Sequence, residues 1–175
     1  MKTVVLALLT GILCASPLLA QDKTTVPEIG DTIPVFHAND DQGDLWQSST
    51  HQTDGKYLVV YFYPAALTGG CTKQACTYRD KAEDLKALKI DIVGVSGDPV
   101  NNLKLFKQAH ALNFPLVSDV NGFIAKLFGV PARQGGTFKT TVDNEAHTLV
   151  RSQTTSRWTF ILDSTGKVIY KNAKV

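Results

Sequence analysis

Cysteine occurs only three times and methionine once in the 175 residues. Cys14 falls inside an apolar leader, which leaves Cys71 and Cys76, both in one short segment. So few cysteines exclude a disulfide-dense scaffold. Long hydrophobic runs are also lacking: the longest, Val4 to Leu13, is about ten residues, against the roughly 20 needed to span hydrocarbon. There is no Pro/Ser-rich linker, repeat or low-complexity tract. Charge of one sign is missing too, because 18 basic and 16 acidic residues are interspersed and form no stripe. That argues against nucleic acid or a lipid surface as the main ligand. The four histidines, His37, His51, His110 and His147, show no ligand spacing, and C-x4-C is not a usual zinc pair. They read as surface or loop residues.

What is present begins with Met1-Lys2, an apolar core and Ala15-Ser16-Pro17-Leu18-Leu19-Ala20 before polar Gln21-Asp22-Lys23. This is the layout of a secretory signal cleaved after Ala20, and it implies an exported, periplasmic or otherwise extracytoplasmic protein. Leu13 before Cys14 argues against a lipoprotein. Residues 21–175 then form one domain, and a sequence of 175 residues that is 43% hydrophobic overall suffices for one core.

Tyr57 to Tyr63 is a β-branched and aromatic run without polar breaks, which predicts a central strand buried on both faces. Pro64 ends it. From Cys71 onward Ala75, Tyr78, Ala82, Leu85 and Leu88 recur at intervals of three and four, the stripe of an amphipathic helix. Ile90 to Ser96 predicts a second strand, and strand, helix and strand together make a parallel βαβ unit. Asp98-Pro99 reads as an N-cap with proline at the first helical position of a helix carrying Leu103, Phe106, Ala109 and Leu112. Phe114 to Val117 predicts a third strand, and Asn121 to Phe128 a short helix closed by Gly129. Trp158 to Leu162 and Lys167 to Tyr170 predict a hairpin around Asp163-Ser164-Thr165-Gly166. The Thr/Val alternation near 140 to 151 suggests one more hairpin inside a polar stretch, 131 to 156. The cluster Asn39 to Asp44 lacks the spacing of a calcium loop and reads as a hairpin turn. The fold class is α/β with a mixed sheet.

Cys71 follows a buried strand and opens a helix. Unpaired backbone N–H groups and the helix dipole favour an anion there, and the thiolate is the nucleophilic form of cysteine. Ligands of open α/β sheets also bind beyond the carboxyl ends of the strands. A structural Cys71–Cys76 disulfide is the plain alternative in an exported protein. On a continuous helix, however, five residues place Cα atoms roughly 8 to 9 Å apart, and a disulfide tolerates about 7 Å. A bond between them must open the helix, which suits a transient state better than a permanent staple.

The segment Pro64-Ala65-Ala66-Leu67-Thr68-Gly69-Gly70-Cys71 matches the signature P-x-x-x-T-x-x-C, and the sequence here resembles the peroxiredoxins, in particular their bacterioferritin-comigratory or Q-type branch. The similarity runs from VPEIGDTIPVF through GKYLVVYFYP and FPLVSD to SRWTFILDSTGKVIY. The resemblance implies a thioredoxin-like fold, a central mixed sheet flanked by helices, and a thiol-dependent peroxidase acting on hydrogen peroxide and organic hydroperoxides. Cys71 would be the peroxidatic cysteine and Cys76 the resolving one, forming an intramolecular disulfide recycled by a thioredoxin-like or other dithiol reductant. Thr68 would hydrogen-bond the sulfur or the peroxide oxygen, Pro64 would shape and shield the loop, and Arg157 would stabilise the thiolate and the leaving oxygen. No metal or organic cofactor is needed, and the protein is expected to be a monomer or weak homodimer.

Four features depart from the family. Gly69-Gly70 replaces the common Pro-Gly, which predicts a more flexible loop. Gln74 stands where glutamate is frequent, so a charged contact is lost. The sequence ends at Val175 where relatives add a helix, leaving one sheet face thinly covered, and the stretch 131 to 156 is longer than usual. A thiol-disulfide oxidoreductase acting on protein substrates is the rival reading, and it would normally show the C-x-x-C that is missing. A non-enzymatic binding module on the same fold is a third.

Overall fold

The computed structural model describes residues 26–53 and 55–174. The leader 1–20 and its cleavage point lie outside them. Strands β1 (His37–Asn39) and β2 (Leu45–Gln47) form a first hairpin, whose turn is the Asn39–Asp44 cluster. Then come β3 (Tyr57–Phe62), α1 (Gly69–Ala87), β4 (Ile90–Ser96), α2 (Val100–His110), β5 (Leu116–Ser118) and α3 (Phe123–Leu127). An arm follows, made of β6 (Ala132–Gln134), β7 (Thr137–Val142), β8 (Glu145–Val150) and β9 (Gln153–Thr155). The chain returns through β10 (Thr159–Leu162) and β11 (Val168–Asn172).

The main sheet has the order β11-β10-β3-β4-β5. Its centre is β3, as the unbroken apolar run predicts, with five of six residues buried. It pairs in parallel with β4 and antiparallel with β10, so the sheet is mixed. Alternate residues of β3 feed two cores. Val60 and Phe62 pack with Phe36, Phe128 and Phe160, where ring centroids lie 5.0 to 6.2 Å apart, and removing a ring such as Phe62 costs about 3–5 kcal/mol. Val59, Tyr61 and Tyr63 face the other way, against Ala75 and Tyr78 of α1 and Leu103 and Phe106 of α2. At the far end of that face Ile161 is half-buried and its strand partner Tyr170 is exposed.

The structure corrects three details. The third strand is shifted to Leu116–Ser118. The N-cap position of α2 is Pro99, with extended backbone and no side-chain cap, while the Asp98 carboxylate turns into the core. Four donors converge on that carboxylate and outcompete the helix terminus for it. The polar stretch 131 to 156 holds not one hairpin but two nested antiparallel pairs, β6 with β9 and β7 with β8. Asp143 and Asn144 turn the inner pair with φ of 49° and 66°, the two-residue geometry that Asx residues tolerate. The arm is seated on the strand ends by Gln153, which donates to the Asp119 carbonyl and lies against Gly97 and Gly122. Any Cβ at Gly97 would meet Gln153 at 2.4 Å.

Candidate active site

Pro64 stops β3 at the carboxyl edge of the sheet, and Ala65 and Ala66 dive back into the core with 7% and 0% exposure. Leu67 then takes a left-handed conformation, φ 63°, which costs about 1–2 kcal/mol in a residue with a Cβ. Such a residue persists only where its neighbours hold it. Here one peptide group is held at both ends: the Ala66 N–H donates to Asp98 Oδ2 at 2.8 Å, and the Ala65 carbonyl accepts from the Thr68 hydroxyl at 2.9 Å. Thr68 is the N-cap position of α1, and its carbonyl accepts from the Thr72 N–H at 2.8 Å.

Cys71 is the third residue of α1, buried at 2% exposure, with its thiol free. The first-turn N–H groups of the 19-residue helix and its dipole bear on this position. Arg157, from the short segment between β9 and β10, donates from Nη2 to Cys71 Sγ at 3.1 Å. Its Nη1 donates to Gln74 Oε1. Gln74 thus keeps its contact with the arginine as a neutral amide, and the guanidinium charge is not cancelled by a carboxylate. Gly69 and Gly70 are not a loose loop but the first helical residues. A Cβ on Gly70 would lie 3.4 Å from Arg157 Nη2, so the glycine leaves the guanidinium room to approach.

Behind the sulfur stands a phenol wall. Tyr61 stacks on Tyr63 with ring centroids 5.5 Å apart and meets Tyr78 in a tilted pair at 4.7 Å. Burial first, and then the neighbouring Tyr78 and Cys71, hold the Tyr61 hydroxyl well above the usual phenol range, so it stays neutral. Cys76 sits half-buried further along the same continuous helix, also with a free thiol. Beside Arg157 a shallow, mainly apolar pocket is lined by Gly70, Lys73, Gln74, Thr77 and Tyr78. A larger cleft around Pro99 and Phe123 is lined by no cysteine.

The structure therefore sets Arg157 on Cys71, with Thr68 at the N-cap of the same helix, Pro64 at the end of β3 and Cys76 further along α1. Sequence reasoning passed over Asp98, Arg151 and the Gln74 contact. Asp98 was visible only as an Asp-Pro helix start, and Arg151 as one charge in a polar stretch. His51 also departs from a plain surface residue, stacking on Trp46 at 5.1 Å and bonding Asp91 at 2.8 Å. Among the described residues no three His, Cys, Asp or Glu side chains converge as a metal would require, and no helix is long and apolar enough to cross a membrane.

A free thiol on a helix N-terminus beyond a thioredoxin-like sheet, with an arginine on its sulfur, is the arrangement of the thiol-based oxidoreductases to which peroxiredoxins belong. The chain belongs to the AhpC/TSA family, whose model matches residues 29–171. It is 39% identical over 145 residues to a chloroplastic peroxiredoxin Q of Populus jackii, covering 82% of this chain and 60% of that protein. Among solved structures it is similar to the peroxidoxin BcpB of Mycobacterium tuberculosis, with TM-score 0.67, 32% identity, and 83% and 84% of the two chains covered. It is similar as well to the bacterioferritin comigratory protein of Xanthomonas campestris, described with respect to alkyl peroxide reduction, with TM-score 0.62, 25% identity, and 80% and 81% covered.

Proposed function

We propose that this peroxiredoxin-class protein reduces hydroperoxides with Cys71 as nucleophile and Cys76 as resolver. The observation that carries the reading is Arg157 Nη2 at 3.1 Å from Cys71 Sγ, because a fixed cation at the reacting sulfur also faces the oxygens that gain charge as the O–O bond breaks. The Cys71 thiolate attacks the terminal oxygen of ROOH, an S–O bond forms, the O–O bond breaks, and RO⁻ leaves to be protonated to ROH. Thr68 has its hydrogen directed at the Ala65 carbonyl, so its lone pairs are left to accept the peroxide O–H. The apolar pocket at Thr77 and Tyr78 suits an organic substituent R.

Cys71 is left as a sulfenic acid. The Cys76 thiol attacks its sulfur, water leaves, and the resulting disulfide is reduced by an external dithiol protein of the thioredoxin kind. Pro64 ends the strand and keeps water from the loop. The secretory layout of residues 1–20 supports an extracytoplasmic site for this chemistry, carried out by a monomer or weak homodimer without a metal or organic cofactor.

One equivalent of hydrogen peroxide added to the reduced protein tests the scheme. Mass and thiol counting should show loss of two thiols and a Cys71–Cys76 bond. Cys71→Ser should consume no peroxide while staying folded, and Cys76→Ser should gain one oxygen, then a second with excess oxidant. Normal turnover by Cys71→Ser would sink the proposal, and a normal intramolecular disulfide in Cys76→Ser would sink the resolver. Turnover of disulfide-bonded proteins without peroxide consumption would favour the rival oxidoreductase.

A further inference from the structure

We infer that Asp98, which does not touch the sulfur, is a positioning residue for Thr68 acting through a single peptide group. Asp98 is fully buried. Its Oδ2 accepts from the Ala66 N–H at 2.8 Å and from Ser96 Oγ at 3.1 Å. Its Oδ1 accepts from Asn102 Nδ2 at 2.9 Å and from Arg151 Nε at 3.0 Å. The Ala66 N–H and the Ala65 carbonyl are two ends of one amide, and the carbonyl end receives the Thr68 hydroxyl hydrogen at 2.9 Å.

A carboxylate on the N–H end polarises the amide and makes its carbonyl a stronger acceptor, because hydrogen bonds in series reinforce one another in a low-dielectric interior. The Thr68 hydrogen is thereby fixed on Ala65, and the oxygen is turned toward the substrate as an acceptor only. Without the carboxylate the hydroxyl is free to rotate and to donate to the sulfur instead, which competes with nucleophilic attack. The same grip holds Leu67 in its left-handed turn. Arg151 lies at the end of the arm, six residues before Arg157, so one carboxylate ties the loop that leads into Thr68 and α1 to the segment carrying the arginine. Arg151 Nη2 is buried without a partner, and its cation keeps Asp98 compensated in the core.

This inference rests on the reading that Thr68 accepts the peroxide proton, and a mutant cycle separates the two. Second-order rates with hydrogen peroxide would be measured for Asp98→Asn, Thr68→Val and the double variant, each checked for folding by circular dichroism. Alkylation of Cys71 by iodoacetamide, which needs no peroxide cradle, is the control. Asp98→Asn should lower the peroxide rate tenfold or more and change alkylation less than threefold. In the Thr68→Val background the same substitution should change the peroxide rate less than twofold. An equal loss in both backgrounds overturns the relay, as does a peroxide rate for Asp98→Asn within twofold of the parent. If Thr68→Val itself has the parent rate, the role of Thr68 fails and the relay with it. Should Asp98→Asn not fold, the reduced parent protein still decides. Its Ala66 amide proton should resonate far downfield and exchange slowly, and an Ala66 amide exchanging like a free peptide overturns the inference.

Discussion

Arg157 reaches Cys71 from just before β10, the strand paired with β3, and its guanidinium divides its donors between a sulfur and a neutral amide. That division leaves a full positive charge facing the sulfur, which a glutamate in place of Gln74 would partly offset. Arg157→Ala should therefore lower the second-order rate with hydrogen peroxide by about 10²–10³, the usual loss when one preorganised donor at a developing oxyanion is removed. Stopped-flow fluorescence would measure it, and a change below about threefold would remove Arg157 from the mechanism. Arg157→Lys should recover only part of the loss, because an ammonium cannot fork between Sγ and Oε1.

At the scale of the element, α1 serves two chemical states that its geometry cannot satisfy together. In the reduced protein it is continuous from Gly69 to Ala87, and Cys71 and Cys76 stand roughly 8 to 9 Å apart at Cα. Bonding the two sulfurs needs about 7 Å or less, so the first turns must open. Opening breaks bonds such as Thr72 N–H to the Thr68 carbonyl and draws Ala75 and Tyr78 from the face they share with Tyr61. Amide exchange across residues 71 to 79 should accelerate on oxidation, while β3 and β4 keep their protection. Unchanged exchange in a disulfide-bonded sample would show that the helix accommodates the bond without unwinding.

Across the whole molecule, the arm is the part that couples distant segments. Gly97→Ala places a Cβ within 2.4 Å of Gln153 Cγ and of its backbone oxygen, and a backbone atom cannot swing away. The substitution should destabilise the protein by about 1–3 kcal/mol, read as a lower denaturant midpoint. It should also slow peroxide reduction, because Arg157 follows the displaced strand by a few residues. Stability also carries a pH term at the end of α2. Burial, and secondarily the charge of Arg79, hold His110 below its ordinary value near 6.5. At high pH both folded and unfolded states are neutral there. As pH falls through 6.5 the unfolded chain takes the proton first, so stability is lost on acidification. His110→Gln should flatten the midpoint between pH 7 and 5. Asp119, pushed upward by burial, acts with the opposite sign near the carboxylate range, so the comparison belongs above pH 5.

Periodicity along the chain sufficed for β3, β4, α1 and the β10–β11 hairpin, because burial on two faces, on one stripe and around an Asx-Gly turn each leaves a local pattern. Cys71 was legible for the same reason, lying where a buried strand gives way to a helix, whereas Thr68 and Pro64 came from the resemblance. Arg157 was reached only through the resemblance, since an isolated arginine before a strand reads as surface. Asp98 was misread: Asp-Pro before an apolar stripe has the local form of a cap, and nothing nearby in sequence reveals the Ala66 N–H that claims its carboxylate. Arg151, the arm's two nested pairings and the fit of Gln153 on Gly97 likewise join residues tens of positions apart. Sequence by itself determined most of the elements and the candidate nucleophile, because those depend on neighbours along the chain. Only tertiary structure decided which charges meet the sulfur and its loop, because a buried charge is placed by partners that the fold, and not the chain order, brings near.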